Sequence, residues 1–223
     1  MNWADHCAAI IPCHNEAAAI ATVVRGVRQF LPHVFVIDDA STDSTAALAA
    51  TAGAQVLHHP TRRGKGAALN TGWHSALERK FIWTLCLDGD GQHAPEDIPA
   101  FLSAATVGNA RLIIGNRMTN PAAMPWLRRQ VNRWMSHRLS RLTHTDLPDT
   151  QCGFRLLHLE TWSQLTTTAQ HYEIESDLLL AFLRAQHPVA FVPIRTIYHS
   201  ERSKIHPLRD TLRWFRWFSR QKR

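Results

Sequence analysis

Short apolar runs alternate with helix-like segments through the first half of the chain. CAAIIPC at 7–13 is followed by NEAAAIATVVRGVRQF at 15–30, where the apolar spacing is helical and Asn15 and Glu16 favour a helix start. VFVID at 34–38 precedes STDSTAALAATAG at 41–53, with Ser and Asp as cap residues and Gly53 as the stop. AQVLHH at 54–59, a helix from about Ala67 to Arg79, and FIWTLCLD at 81–88 continue the alternation. This βαβαβαβ order predicts an α/β fold built on a doubly wound, mainly parallel sheet with helices on both faces.

The second half is less regular. RLIIGNRM at 111–118, GFRLLH at 153–158 and PVAFVPI at 188–194 read as strands, while PWLRRQVNRWMSHRLSRL at 125–142 and ESDLLLAFLRAQ at 175–186 read as helices. No repeat or low-complexity linker separates them, which predicts one domain over 1–206 followed by a helix at 207–223. In that tail Arg209, Arg213, Arg216 and Arg220 share one side, and Leu208, Leu212, Trp214, Phe215 and Phe218 the other. Such a helix suits the interface of an anionic membrane, or docking on the core.

At 223 residues and 45% hydrophobic the chain can bury one sizeable core, which excludes a disordered class. The net charge of +7 rests on 21 Arg against 4 Lys, a bias towards bidentate grip on phosphates. Phosphorylated ligands, an anionic membrane surface or nucleic acid would suit it, but no nucleic-acid-binding signature is present. Cys7, Cys13, Cys86 and Cys152 form no C-x-x-C pair and read as buried reduced thiols of a cytosolic protein. No signal peptide and no run of about 20 apolar residues is visible, so no membrane span is expected.

Polar clusters fall where the strands of the first half should end: HNE, DDAST, RRGKG and DGDGQH. Any one could be turn chemistry, but four at one sheet edge mark where such folds bind ligands. Asp88 and Asp90 at i and i+2, with the Gln92 carbonyl, can converge on a hard divalent ion such as Mg²⁺ or Mn²⁺. Gly64 and Gly66 let the backbone approach a diphosphate and Lys65 offers it a charge, although the stretch is not a P-loop. Arg129, Asn132, Arg133 and Ser136 fall at i, i+3, i+4 and i+7, one helix face that could hold a phosphate.

IIPCHNE, VIDDAST, RRGKGAALNTG and LDGDGQHAPEDI, in this order, resemble the family 2 glycosyltransferases with the GT-A nucleotide-sugar fold. IGNRM, DTQCGFRLL, YEIESDLLL and YHSERSKIHPLRDTLRWFRW are similar to the polyprenyl-phosphate branch, which includes dolichyl-phosphate mannose synthases. The resemblance implies inverting transfer from a nucleoside-diphosphate sugar to a polyprenyl (undecaprenyl) phosphate, by a cytoplasmic enzyme peripheral on the inner face of the cytoplasmic membrane. Pro12, His14, Asn15, Glu16, Asp38, Asp39 and Ser41 would hold the nucleoside, and Lys65, Gly66, Asp88 and Gly89 the rest of the donor. Asp88, Asp90 and Gln92 match the metal positions, Arg117 matches an acceptor-phosphate arginine, and Glu175 would touch the sugar or acceptor unless it only favours its helix dipole. Cys152, His14 and Ala40 depart from the usual Ser, Tyr and Gly. Two alternatives stay open: transfer to a hydroxyl with Glu175 or Asp149 as general base, and a non-catalytic nucleotide-sugar-binding module.

Overall fold

The computed structural model describes residues 1–169, 171–197 and 207–221. Along the chain run α1 (Trp3–His6), β1 (Cys7–Cys13), α2 (Ile20–Arg28), β2 (Val34–Asp38), α3 (Thr45–Thr51), β3 (Gln55–His58), α4 (Lys65–Glu78), β4 (Trp83–Cys86) and α5 (Ile98–Val107). They are followed by β5 (Leu112–Asn116), α6 (Trp126–Thr143), β6 (Arg155–His158), α7 (Leu159–Ser163), α8 (Ile174–Arg184), β7 (Val189–Pro193) and α9 (Pro207–Gln221). The strands form one sheet in the order β3-β2-β1-β4-β6-β5-β7. All pairs are parallel except those of β6, which runs antiparallel to both β4 and β5.

The central strands are apolar on both faces because helices cover both faces. Ala8 to Ile11 of β1 and Leu156 and Leu157 of β6 are fully buried. Helix α2 turns Val23, Val24 and Val27 inward. Helix α4 approaches the sheet through Gly72, where a Cβ would overlap the Ile10 side chain. All four cysteines are free and buried, as their apolar settings predict.

Three differences from the sequence reading have physical reasons. Asn15 and Glu16 do not open α2, which starts at Ile20 behind Ala19. Asn15 instead takes a left-handed backbone, φ 56°, and its side chain accepts the Thr42 amide at 2.8 Å, so a partner in another loop displaces local capping. Helices α1, α5 and α7 carry too short or too evenly apolar a pattern to be read, although Pro95 and Pro99 sit where a helix start would place them. The tail is an amphipathic helix, as its pattern predicts, but the face it buries does not coincide with its apolar side. Trp214, Trp217 and Phe218 turn into the core, while Leu212 and Phe215 are exposed with Arg216 and Arg220. The side chains of Leu208 and Arg209, and the YHSERSKIH stretch at 198–206, lie outside the described residues. No helix among the described residues is long and apolar enough to cross a membrane.

Candidate active site

The carboxyl ends of β1 and β2 lie side by side, with Cys13 opposite Asp38, and their loops hold one another by backbone amides. Asn15 N donates to Ser41 Oγ at 2.9 Å, Glu16 N to Thr45 Oγ1 at 2.7 Å, and His14 Nδ1 lies 2.9 Å from the Asp39 carbonyl. Asp38 accepts the Ser41 amide at 3.2 Å and faces His58 Nδ1 at 3.1 Å. Pro12, the penultimate residue of β1, is partly buried. Six of the residues nominated for the nucleoside thus assemble with Asp39 around one pair of strand ends.

Asp39 is the anchor of the third loop. Its buried carboxylate accepts Arg63 N at 2.8 Å, Gly64 N at 2.7 Å and faces His59 Nδ1 at 2.8 Å. His59 Nε2 in turn lies 2.9 Å from Thr71 Oγ1 on α4. Burial alone would raise this carboxyl, but the two amides and His59 together hold it below the ordinary carboxylate range. The direct work of Asp39 is therefore to shape the glycine-rich turn that delivers Lys65. That turn needs glycine at one point: Gly64 has φ 96°.

Lys65 opens α4 and points across the sheet edge. Its Nζ lies 2.5 Å from Asp88 Oδ1 and 2.7 Å from Glu175 Oε1, with the Tyr172 ring centroid at 5.8 Å. Burial would neutralise the amine, but the two carboxylates raise its pKa and keep it charged. Asp88 is pushed up by burial and, more strongly overall, down by Lys65 and His93, whose Nε2 is 3.5 Å from Oδ2. Asp90 is raised, first by burial and then by the negative charge of Asp88. Gly153 leaves the room this cluster needs: a Cβ there would come within 2.9 Å of both Lys65 Nζ and Asp88 Oδ2. Gly89 does the same beside Cys13, and Gly66 is buried in the first turn of α4.

These residues suit a hard divalent cation by their chemistry. Two carboxylates that raise one another's energy share a turn with Gln92, whose backbone amide donates to Asp90 Oδ1 at 3.0 Å and whose side-chain Oε1 accepts Arg128 at 3.2 Å. Among the described residues no three His, Cys, Asp or Glu side chains form a metal cluster, so an ion held here would need the Gln92 oxygen as a third ligand.

On the other side of the sheet edge Arg117 makes a bidentate pair with Asp149, Nε to Oδ2 at 2.8 Å and Nη2 to Oδ1 at 2.9 Å. Asp149 is fully buried and also accepts Asn132 Nδ2 at 2.9 Å, while Ser136 Oγ donates to Asn132 and accepts Thr150 N at 3.0 Å. Burial would raise Asp149, but Arg117 foremost, then Asn132, lower it. Asn132 and Ser136 therefore share a face, as their spacing predicts. Arg133 does not share it: it is exposed, because the buried stripe of α6 runs through Asn132, Met135, Ser136 and Leu139. Arg129 is half-buried, and its Nε has no partner among the described residues. Arg128, which the spacing argument passed over, is the α6 arginine that reaches Gln92.

Arg155 was also missed. Fully sequestered, its guanidinium donates to the carbonyls of Cys152 at 2.6 Å, Thr150 at 2.9 Å and Glu175. It ties the loop before β6 to the start of α8. Only its place in an apolar strand, FRLL, hinted that so costly a burial had a purpose.

The sequence model of the family described as "Glycosyl transferase family 2" matches residues 8–163. The undecaprenyl-phosphate mannosyltransferase of Micrococcus luteus is 31% identical over 199 residues, 83% of this chain and 81% of that protein. The polyprenol monophosphomannose synthase of Mycolicibacterium smegmatis is 29% identical over 199 residues, 83% and 75% of the two chains. In shape the chain is similar to glucosyl-3-phosphoglycerate synthase from Mycobacterium tuberculosis, solved with Mn²⁺, UDP and phosphoglyceric acid. The TM-score is 0.76 at 20% identity, over 97% of this chain and 76% of that one, a likeness of fold that makes this an α/β GT-A architecture.

Proposed function

The chain belongs to glycosyl transferase family 2, and from that premise we propose that it moves a sugar from a nucleoside-diphosphate sugar to the phosphate of a polyprenyl phosphate, with inversion at C1. The loops of Pro12, His14 to Glu16 and Asp38 to Ser41 bind the nucleoside, and Lys65, at the start of α4, meets the diphosphate. Asp88, Asp90 and Gln92 would hold Mg²⁺ or Mn²⁺, which when bound supplies Lewis-acid stabilisation of the charge building on the leaving diphosphate. Arg117 and the first turns of α6 face the acceptor.

The observation that carries the choice of a phosphate acceptor is that both carboxylates nominated as general base are committed to cations. Glu175 is 2.7 Å from the Lys65 ammonium, and Asp149 is fully buried in a bidentate pair with Arg117. A carboxylate already engaged by a cation is poorly placed to take a proton from an acceptor hydroxyl, and an acceptor that is already anionic needs no base. The relatives named for undecaprenyl-phosphate and polyprenol substrates support the same reading. Exposed Leu212 and Phe215, with Arg216 and Arg220, suit contact with the anionic inner face of a bilayer, where such an acceptor resides.

The test is incubation with a panel of nucleotide sugars and Mn²⁺ or Mg²⁺. Undecaprenyl phosphate or the free polyprenol is supplied in anionic or neutral vesicles, and lipid products are read by mass spectrometry. Glycosyl transfer to the phosphate is expected, fastest in anionic vesicles at low salt. Asp90→Asn should cut turnover by roughly two orders of magnitude, the scale of one lost electrostatic contact to the transition state. Transfer to the polyprenol hydroxyl alone would replace this reading with the hydroxyl-acceptor one.

A further inference from the structure

Helix α9 runs beside α8 in the same direction and is tied to both ends of α8. At the near end Trp214 Nε1 donates to Ser176 Oγ at 2.8 Å and Trp217 Nε1 to Asp177 Oδ1 at 3.0 Å. At the far end Arg184 donates to the Gln221 carbonyl at 2.7 Å and to its side-chain oxygen at 2.8 Å. Trp214 is buried between Trp134 of α6, 5.4 Å away, and Phe218, stacked at 4.9 Å. If α9 served only to cover apolar surface, phenylalanine would do at both tryptophan positions. Instead two indole N–H groups enter a dry interface, where each needs an acceptor, and both find side chains on the first turn of α8.

Those two acceptors directly follow Glu175. Ser176 is fully buried and also accepts Gln151 Nε2 at 2.8 Å, from the loop that leads to Gly153. Asp177 presents its other oxygen to Thr168 N at 2.7 Å and Ala169 N at 3.0 Å. Successive helical side chains are about 100° apart, so fixing Ser176 and Asp177 sets the rotation of the turn and thereby the direction of Glu175. Arg155 fixes the Glu175 carbonyl, but a carbonyl contact near the helix axis controls height better than rotation.

We propose that Trp214 and Trp217 are positioning residues of the reaction centre: through Ser176 and Asp177, α9 sets the rotation of α8 that keeps Glu175 on Lys65. The tail is then part of the active-site scaffold, whatever its outer face touches. The kinetic arm of the test rests on the transferase reading above, and the exchange arm does not.

Trp214→Phe keeps the ring and deletes the donor. In the wild type, in Trp214→Phe, in Ser176→Ala, in the double variant and in Arg184→Ala, two quantities are measured: amide hydrogen exchange over 171–180, and kcat and KM for the active donor. Trp214→Phe should speed exchange at 174–177 and lower kcat by about tenfold, with donor KM within about twofold, as for a buried hydrogen bond felt mainly in the transition state. In the Ser176→Ala background the same change should add little, since its partner is already gone. Arg184→Ala, which frees the far end of α9, should lower the melting temperature while leaving kcat and exchange at 174–177 in place. Wild-type exchange at 174–177 in Trp214→Phe would overturn the proposal, as would equal kcat losses in Trp214→Phe and Arg184→Ala. A wild type that transfers to no acceptor would sink the transferase reading, and the exchange arm would still decide this one.

Discussion

The two halves of the sheet edge are held by opposite chemistry. On the side proposed for the donor the oxygens of Asp38, Asp39, Ser41, Thr45 and Asn15 receive backbone amides, most of them from a neighbouring loop. On the side proposed for the acceptor guanidinium groups do the holding: Arg117 grips Asp149, and Arg155 gathers three carbonyls. Amide-to-oxygen contacts are numerous and individually modest, so the donor loops can lose one and adjust. A buried ion pair is few in contacts and high in stakes, because removing one partner strands the other charge.

The sharpest way to break that contrast is Asp149→Ala. It leaves the Arg117 guanidinium, 13% exposed, without this carboxylate and strips Asn132 of its acceptor, so a loss of about 3 kcal/mol in unfolding free energy is expected by denaturant titration. The pH dependence has a definite sign. The folded pKa of Asp149 lies below the usual value near 3.9, so the pair stabilises above that pH and its contribution is lost as pH falls through the lower folded value. The gap between wild type and variant should therefore narrow below about pH 4, and a gap independent of pH would remove the ion pair from the account.

The same contrast explains what could be read from the chain. The ends of β1 and β2 were legible to the residue, 7–13 and 34–38, because continuous apolar runs stop at Asp or His beside turn formers. The donor loops were legible as a group because Asp, Asn, Ser and Gly announce turns locally. Nothing local announces that β6 runs antiparallel: its four residues are all buried, and such a pattern reads alike in either direction. Arg117 with Asp149 and Arg155 with Glu175 are 32 and 20 residues apart, so their pairing is a fact of tertiary structure. Arg133 shared a plausible arc with Asn132 on a helical wheel, yet α6 docks along a narrower stripe. Trp217 hid because an arginine-flanked aromatic reads equally well as a surface anchor or a core contact.

Asp39→Asn probes the donor side with a smaller blow. The carboxamide keeps one acceptor but turns an NH₂ towards either the Arg63 or the Gly64 amide, leaving a donor facing a donor. A cost of about 1–3 kcal/mol follows for the unsatisfied group. If Asp39 shapes the glycine-rich turn, the variant should also weaken diphosphate affinity relative to that for the nucleoside alone, measured by calorimetry with UDP and uridine, or the corresponding pair for the active donor. Equal weakening of both ligands would return Asp39 to the role of a nucleoside contact.

Ala40→Gly is the mildest change and tests whether the donor loops carry strain. Ala40 sits at φ 59°, a left-handed conformation that costs an L-residue with a Cβ roughly 1–2 kcal/mol. It is kept there by its neighbours: the Asp39 amide donates to the Cys13 carbonyl at 2.8 Å, and the Ser41 amide reaches Asp38. Glycine removes the steric cost but raises the entropy of the unfolded chain, which takes back about 0.4–1 kcal/mol. The expected net gain is therefore small, about 1 kcal/mol or less, visible as a rise in denaturation midpoint with unchanged m-value. On the acceptor side His144 holds a comparable φ of 52° at the end of α6. Its carboxyl-terminal position is one that helices commonly give to glycine, so His144→Gly should gain a similar amount. If Ala40→Gly destabilises while His144→Gly stabilises, the left-handed turn is being enforced by the interlocked amides of the donor loops, and freeing it loosens them. That outcome would make the donor side as intolerant of change as the buried ion pair, and the contrast between the two edges would fail.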